Sequence, residues 1–376
     1  MDFQAEFPQD PQIIYLNHAA VAPWPMRTRD AVQNFANENL VSGASYYPQW
    51  LKTEQQLREN LKALLNARST DEIALVKNTS EALSVVAHGL PWQDGDEVII
   101  SDEEFPSNAI VWESLARHGV KTIKVNLYAN DLFPEQNLIN AMTDKTRLLS
   151  ISSVQYASGT VLDLEKVGNA CRDADIYFCV DAIQSLGALP MDVKTIQADF
   201  VMADGHKWML GPEGLGVFYC RAEIMNDITL NQYGWHMIEQ AGNYDSQTWS
   251  IAKTAKRFEC GSPNMLGAYA LNASLSLLLE VGLDNVAQRI KHNTGFLRDL
   301  ISQTPQLTLI SQNDPSRAAG ITTFSVNDKD QKTVYQTCMK NHLICANRGG
   351  GIRFSPHFYQ DEALIQRGVE RLLSLV

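Results

Sequence analysis

From about residue 70 to residue 220, short apolar runs alternate with stretches whose apolar residues recur at helical spacing. This alternation predicts an α/β fold: a mostly parallel central sheet with helices on both faces. The strand candidates are 97–101, 122–126, 147–152, 176–181, 199–203 and 216–220, and the helical segments between them include 109–118 and 164–174. Sheets of this kind bind ligands at the C-terminal ends of their strands. Two reactive residues fall there: Asp181 ends one strand candidate, and Lys207 follows another in Ala203-Asp204-Gly205-His206-Lys207-Trp208.

Beyond Pro263 the pattern changes. Segments 268–281 and 283–301 read as two long helices joined at Val281-Gly282, followed by strand candidates 307–311 and 320–326 and a closing helix over 361–373. The expected division is a large α/β domain over 15–280 and a smaller C-terminal α+β domain over 281–376, with segment 1–14 packing against the smaller one. No repeat, low-complexity tract or long Pro/Gly linker separates them.

Composition excludes several classes of function. The chain has 376 residues, 45% of them hydrophobic and 20% charged, which suits a globular protein with a sizeable core. A net charge of −12 without a basic stripe argues against a nucleic-acid partner. No uncharged apolar run reaches the ~18 residues of a membrane span, and Met1–Phe7 has no signal-peptide pattern. The six cysteines, at 171, 179, 220, 260, 338 and 345, form no CxxC pair, which fits a reducing cytoplasm better than a disulfide or zinc framework.

An amine and a carboxylate on one sheet edge match the needs of pyridoxal phosphate. The amine forms a Schiff base with it, and the carboxylate keeps the pyridinium nitrogen protonated. Lys207 reads either as a solvated loop lysine or, given its bulky apolar flank Trp208-Met209-Leu210, as a buried nucleophile. Asp181 reads as a helix cap or as the ring-nitrogen partner, and Gln184 as a loop amide or as a donor to the ring 3′-oxygen. Asn78-Thr79-Ser80-Glu81 has the form of a capping box. It either caps a helix and no more, or also holds a phosphate with its hydroxyls and amides. His206 contacts the cofactor or fills space, and Phe105 stacks on the ring or caps the core.

Together these residues resemble the class V group of fold-type I pyridoxal-phosphate enzymes. The resemblance spans nearly the whole chain. It rests on Tyr15-Leu16-Asn17-His18-Ala19-Ala20, Asn78-Thr79-Ser80-Glu81-Ala82, Glu104-Phe105-Pro106-Ser107-Asn108 and Val180-Asp181-Ala182-Ile183-Gln184-Ser185. It continues through Asp204-Gly205-His206-Lys207, the run from Arg257 to Pro263 and the run from Gly351 to Tyr359. The resemblance implies that Lys207 is the Schiff-base lysine, Asp181 the pyridinium partner and Gln184 the 3′-oxygen donor. Thr79 and His206 match phosphate ligands, with Ser80 expected beside them from the capping box, and Phe105 matches a ring over the cofactor face. Arg353 matches the arginine that grips the substrate α-carboxylate, with Asn17 and Ser153 also expected near the substrate. Ser262 matches a hydroxyl that reaches the phosphate of a partner subunit, implying a homodimer with composite sites.

Three positions depart from the desulfurase pattern. Cys345 lies before Arg348, in an apolar run, where the related Arg-x-Gly-x-x-Cys stretch places its cysteine after the arginine, so Cys345 is read as structural. Asp204 replaces a serine expected at the phosphate and is left unassigned. Ser153 stands where an asparagine is expected, and Gln155 or Tyr156 could do that work. The expected function is a class V aminotransferase or epimerase-like enzyme acting on an amino acid or small primary amine. The alternatives are a cysteine desulfurase, selenocysteine lyase or other β-lyase of the same fold, and a non-catalytic relative.

Overall fold

The computed structural model describes residues 3–129 and 132–376. Strand β1 is the pair Ile14–Tyr15, and β2 to β8 are Ile73–Val76, Glu97–Ser101, Lys121–Val125, Thr146–Ser152, Tyr177–Asp181, Phe200–Asp204 and Gly216–Cys220. Strands β2 to β8 form one seven-stranded sheet in the order β2-β8-β7-β6-β5-β3-β4. Only β8 runs against its neighbours. The link from β7 to β8 is too short to hold a crossover helix, so those strands must pair antiparallel. The six expected strands are all present, with ends shifted by at most one residue. β2 was not anticipated.

Side-chain alternation along each strand feeds two apolar layers. In β7, Phe200 and Met202 enter one core while Val201 and Ala203 enter the other. β3 divides in the same way, with Val98 and Ile100 on one side and Ile99 on the other. The helices that cover the faces start at side-chain caps: Asn78 accepts from Glu81 N at 2.9 Å, and Asp163 from Lys166 N at 3.1 Å. The expected helix 109–118 is instead a short α-helix, Ser107–Glu113, continued as a 3₁₀ turn over Ser114–His118.

Helices Met265–Val281 and Leu283–Gln303 meet at Gly282, whose φ of 86° turns the chain by 83°. Strands β9 to β13 are Leu307–Leu309, Thr322–Val326, Leu343–Ile344, Ala346–Arg348 and Gly351–Phe354. Four of them form an antiparallel sheet in the order β12-β13-β10-β9 over a third apolar cluster. The remaining strand, β11, pairs in parallel with β1. Near the N-terminus, Phe7 stacks on Tyr359 and Phe3 meets Phe358 edge-on. Residues 1 and 2 of the expected docking segment lie outside the described residues. Among the described residues no single helix is long and apolar enough to cross a membrane.

Candidate active site

A cavity of about 320 Å³ opens at the C-terminal ends of β6 and β7, a volume typical of small-molecule sites. β6 delivers Asp181 to its floor, and the turn after β7 delivers Lys207. Both are buried, at 2% and 9% exposure. Asp181 Oδ1 accepts from Ile183 N at 3.0 Å. Burial raises the Asp181 pKa, and the nearby Glu104 charge adds to this, while the Ile183 amide and Lys207 oppose it. Burial lowers the Lys207 pKa, with Asp181 opposing and Arg353 reinforcing the effect.

The Lys207 turn is held from below by Trp208, which is fully buried. Its indole N–H donates to Gln184 Oε1 at 2.9 Å, and Gln184 Nε2 donates to Ala19 O at 3.0 Å. Gln184 therefore locks the N-terminal loop to the Lys207 turn and keeps one amide N–H for the cavity. Gly187 and Gly320 make room for Trp208: with φ of 93° and 74°, each would place a Cβ within 2.5 Å of a Trp208 atom.

At one end of the cavity the helix Thr79–Gly89 points its N-terminus inward. Thr79 Oγ1 accepts from Asp204 N at 3.1 Å, so its hydroxyl hydrogen is free for a ligand. Ser80 and Ser107 join through their hydroxyls at 2.9 Å on the same wall. Asp204 Oδ1 lies 3.2 Å from His206 Nδ1, close enough to attract a charged imidazole, though not aligned as a hydrogen bond.

At the other end Phe105 and Tyr156 meet edge-on at 5.2 Å. Lys207 Nζ stands 5.7 Å from the centre of the Phe105 ring. The preceding residue, Glu104, is buried and accepts from Ser101, Asn108, Ser152 and Gln155, which pins the Phe105 loop to the end of β5. Arg353, on β13, is 2% exposed. One of its nitrogens donates to Tyr156 O at 2.7 Å, but its buried Nε has no partner. Burial, with Arg348 nearby, lowers its pKa to about 10. A buried guanidinium with no carboxylate partner among the described residues is costly unless an anion joins it.

Not every expected site residue reaches the cavity. Ser153 is turned away and bonds to Asp181 O and Ser185 Oγ, stapling the strand ends together. Asn17 lies behind the wall at a bridge to Ser355, its buried Oδ1 unpartnered. Ser262 lines a separate hollow with Lys77, Glu81 and Cys260. Cys345 packs in the third apolar cluster beside Cys338. Ser107 and Arg348 line the cavity without having been chosen as site residues, and Tyr156, considered in place of Ser153, lines it too. Arg348 sits across a Gly-Gly turn from Arg353, and the β12–β13 register brings the two together.

The donor set fits pyridoxal phosphate. Helix-terminal hydroxyls and a histidine suit the phosphate, a buried carboxylate suits the ring nitrogen, and a buried amine suits the aldehyde. The unpartnered Arg353 Nε adds a place for a carboxylate. Comparison with known proteins agrees. Residues 14–358 match the family model of class V aminotransferases. The chain is 28% identical to a protein of Methanothermobacter thermautotrophicus named as a probable cysteine desulfurase, over 97% of this chain and 95% of that one. It is 27% identical to an uncharacterized aminotransferase of Bacillus subtilis, covering 91% and 89%. Among solved structures, the cystine C-S lyase C-DES in complex with its product cysteine persulfide superposes with a TM-score of 0.91 at 25% identity, covering 98% and 99%. From the Lys207–Asp181 edge, the fold around it and the family match, the chain belongs to the class V group of fold-type I pyridoxal-phosphate-dependent enzymes.

Proposed function

We propose that this protein is a C–S lyase that removes a sulfur substituent from the β-carbon of a cysteine-type amino acid without a catalytic cysteine. The observation that carries this reading is the cavity wall: among the described residues it presents Lys207 and Arg353 and no thiol. Cys345 is separated from it by strand parity. Successive side chains alternate between faces, so with Arg348 toward the cavity, Cys345 and Asn347 face the other way, and Cys345 joins the apolar cluster. Similarity to a cystine C-S lyase over nearly the full chain favours elimination over the transamination and epimerisation expected from sequence.

When bound, pyridoxal phosphate supplies the conjugated electron sink that stabilises charge released at Cα. Lys207 holds its aldehyde, Asp181 holds the proton on its ring nitrogen, and Gln184 donates its spare N–H to the ring oxygen. Thr79, Ser80 and His206 hold the phosphate, with Asp204 orienting His206. Phe105, on the cavity wall beside Lys207 Nζ, would pack against the cofactor ring and help to exclude water. Arg353 fixes the substrate α-carboxylate with a guanidinium fork, leaving the Cα–H within reach of Lys207. As general base, Lys207 Nζ takes that proton, and the sulfur departs with the electron pair of the Cβ–S bond. For cystine, addition of water then gives pyruvate, ammonia and cysteine persulfide. Ser262 serves a second copy of the chain, completing its phosphate site.

Incubation of the holoenzyme with cystine, cysteine, alanine and aspartate tests the reading. Pyruvate and persulfide formed from cystine, at equal rates in wild type and Cys345→Ser, support it. A keto acid formed only with stoichiometric cofactor amination, or racemised substrate, returns the protein to the aminotransferase or epimerase branch.

A further inference from the structure

The mechanism uses one arginine of the β12–β13 hairpin, but the hairpin brings two to the cavity. In its register Ala346 lies opposite Arg353 and Arg348 opposite Gly351. Directly opposed residues share a face, and so do residues two apart on one strand. Arg348 and Arg353 therefore project from the same face as diagonal neighbours, with Cβ atoms about 7 Å apart. Both line the cavity. Between them the hairpin carries only Ala346 and Gly351, which leaves room for a ligand.

Their surroundings differ. Arg353 is buried, whereas Arg348 is exposed at the mouth, just before the turn Gly349-Gly350. Both turn glycines have positive φ, 57° and 80°, and Gly349 sits against Ala157, beside Tyr156 on the rim. The hairpin tip is thus seated where the cavity opens. Arg348 forms no ion pair among the described residues, and its one hydrogen bond there goes to the carbonyl of its neighbour Asn347. The two carboxylates on the cavity wall, Asp181 and Asp204, belong to the ends of β6 and β7 rather than to this hairpin. In a chain of net charge −12, two arginines facing an open cavity without an acid beside them are a local exception.

We infer that Arg348 is a specificity residue that recognises a second anionic group at the far end of the substrate, so that the site selects amino acids with a carboxylate-bearing tail beyond the β-sulfur. The inference rests on the lyase reading for the position of the sulfur, but not for the tail. One α-carboxylate neutralises Arg353 and leaves Arg348 unmatched. A tail carboxylate meets the second guanidinium in a charge-assisted contact. A neutral tail leaves it in water, and a cationic tail is repelled, so the same residue attracts one class and rejects another. Cystine and S-carboxyalkyl cysteines belong to the favoured class, and S-alkyl cysteines do not.

The test compares the holoenzyme with its Arg348→Ala and Arg348→Lys variants on two substrates of similar size, S-carboxymethylcysteine and S-ethylcysteine. Wild type should favour the acidic tail in kcat/KM by about 10- to 100-fold, mostly through KM, as expected of one charge-assisted contact. Arg348→Ala should collapse that ratio toward one, and Arg348→Lys should keep part of it. A ratio that is equal in wild type and Arg348→Ala overturns the inference. A second measurement is independent of lyase chemistry: the cofactor absorbance is titrated with aspartate and glutamate against alanine and norvaline. If no cysteine derivative is cleaved, but acidic amino acids bind more tightly and only when Arg348 is present, the lyase reading fails and the role of Arg348 stands. If acidic and neutral amino acids bind wild type alike, the inference fails whatever the chemistry.

Discussion

Trp208 and Gln184 meet at 2.9 Å, indole N–H to amide oxygen, beneath the cavity. Through this bond the turn that carries Lys207 and the turn that follows Asp181 become one rigid floor. Gln184 extends the floor to the N-terminal loop through Ala19 O, and Ala22 N closes the ring by donating to His206 O at 2.8 Å.

Trp208→Phe keeps an aromatic ring but loses part of the buried indole volume and leaves the buried Gln184 oxygen without its donor. An unsatisfied buried acceptor costs about 1–3 kcal/mol. The variant should melt several degrees lower and lose cofactor faster on dialysis, both read from the cofactor absorbance. An unchanged dissociation rate would mean that the floor does not hold the Lys207 turn.

Lys207 is the expected site of covalent attachment. Borohydride reduction and peptide mapping should place the pyridoxyl group there, and label on another lysine would overturn the assignment. The rate of cofactor capture carries a pH signature. Burial lowers the Lys207 pKa, and only the neutral amine attacks the aldehyde. Capture by the apoenzyme should therefore be slow in acid, rise with pH as Nζ deprotonates, and level off below the ~10.4 of a free lysine. A plateau reached only at or above that value would show an amine that behaves as if solvated.

Asp181→Asn preserves shape and removes the charge that holds the ring-nitrogen proton. Turnover should fall by at least ~10²-fold, in line with the loss of other preorganised electrostatic contacts, while the melting temperature changes little. Near-normal turnover would separate Asp181 from the ring nitrogen.

Cys345→Ser should keep most activity toward the true substrate. Contact with Cys338 and burial both push the Cys345 pKa up, away from the thiolate a sulfur acceptor needs. The expected change is in packing, about 1 kcal/mol of stability, seen as a small drop in melting temperature. Alanine and sulfide production from cysteine that disappears in this variant would establish desulfurase chemistry instead.

Mixing Lys207→Ala protomers with Ser262→Ala protomers tests the composite site. If Ser262 serves the neighbouring copy, each mixed dimer holds one site intact in both elements and one lacking both. Activity should then recover above either parent after subunit exchange. A monomer at micromolar concentration that retains its cofactor would refute the arrangement.

Much of the sheet could be read directly because most of its strands are buried on both faces, and 98–100 and 216–220 are short runs without a charged residue. β2 escaped notice because it is four residues long and follows the polar Thr70–Glu72 turn. Lys207 and Asp181 were legible because a strand end is marked by where its apolar run stops. Ser153 and Arg348 were not, because their roles depend on which way a side chain points. Ser153 sits one residue past β5 and turns inward, while Arg348 reaches the cavity only through the β12–β13 register. Neighbouring sequence carries neither fact.

The parallel pairing of β1 with β11 has a consequence in time as well as in space. His18, just after β1, bonds to Tyr359 across 341 positions, and Ala19 and Ala20 form part of the cavity wall. During synthesis the ribosome has released Lys207, Asp181 and the helix Thr79–Gly89 long before β11 and Arg353 emerge. A nascent chain therefore owns an amine and an acid without the wall that shelters them. Contacts this distant in sequence form late in folding, so the complete cavity wall exists only once translation has passed the final hairpin.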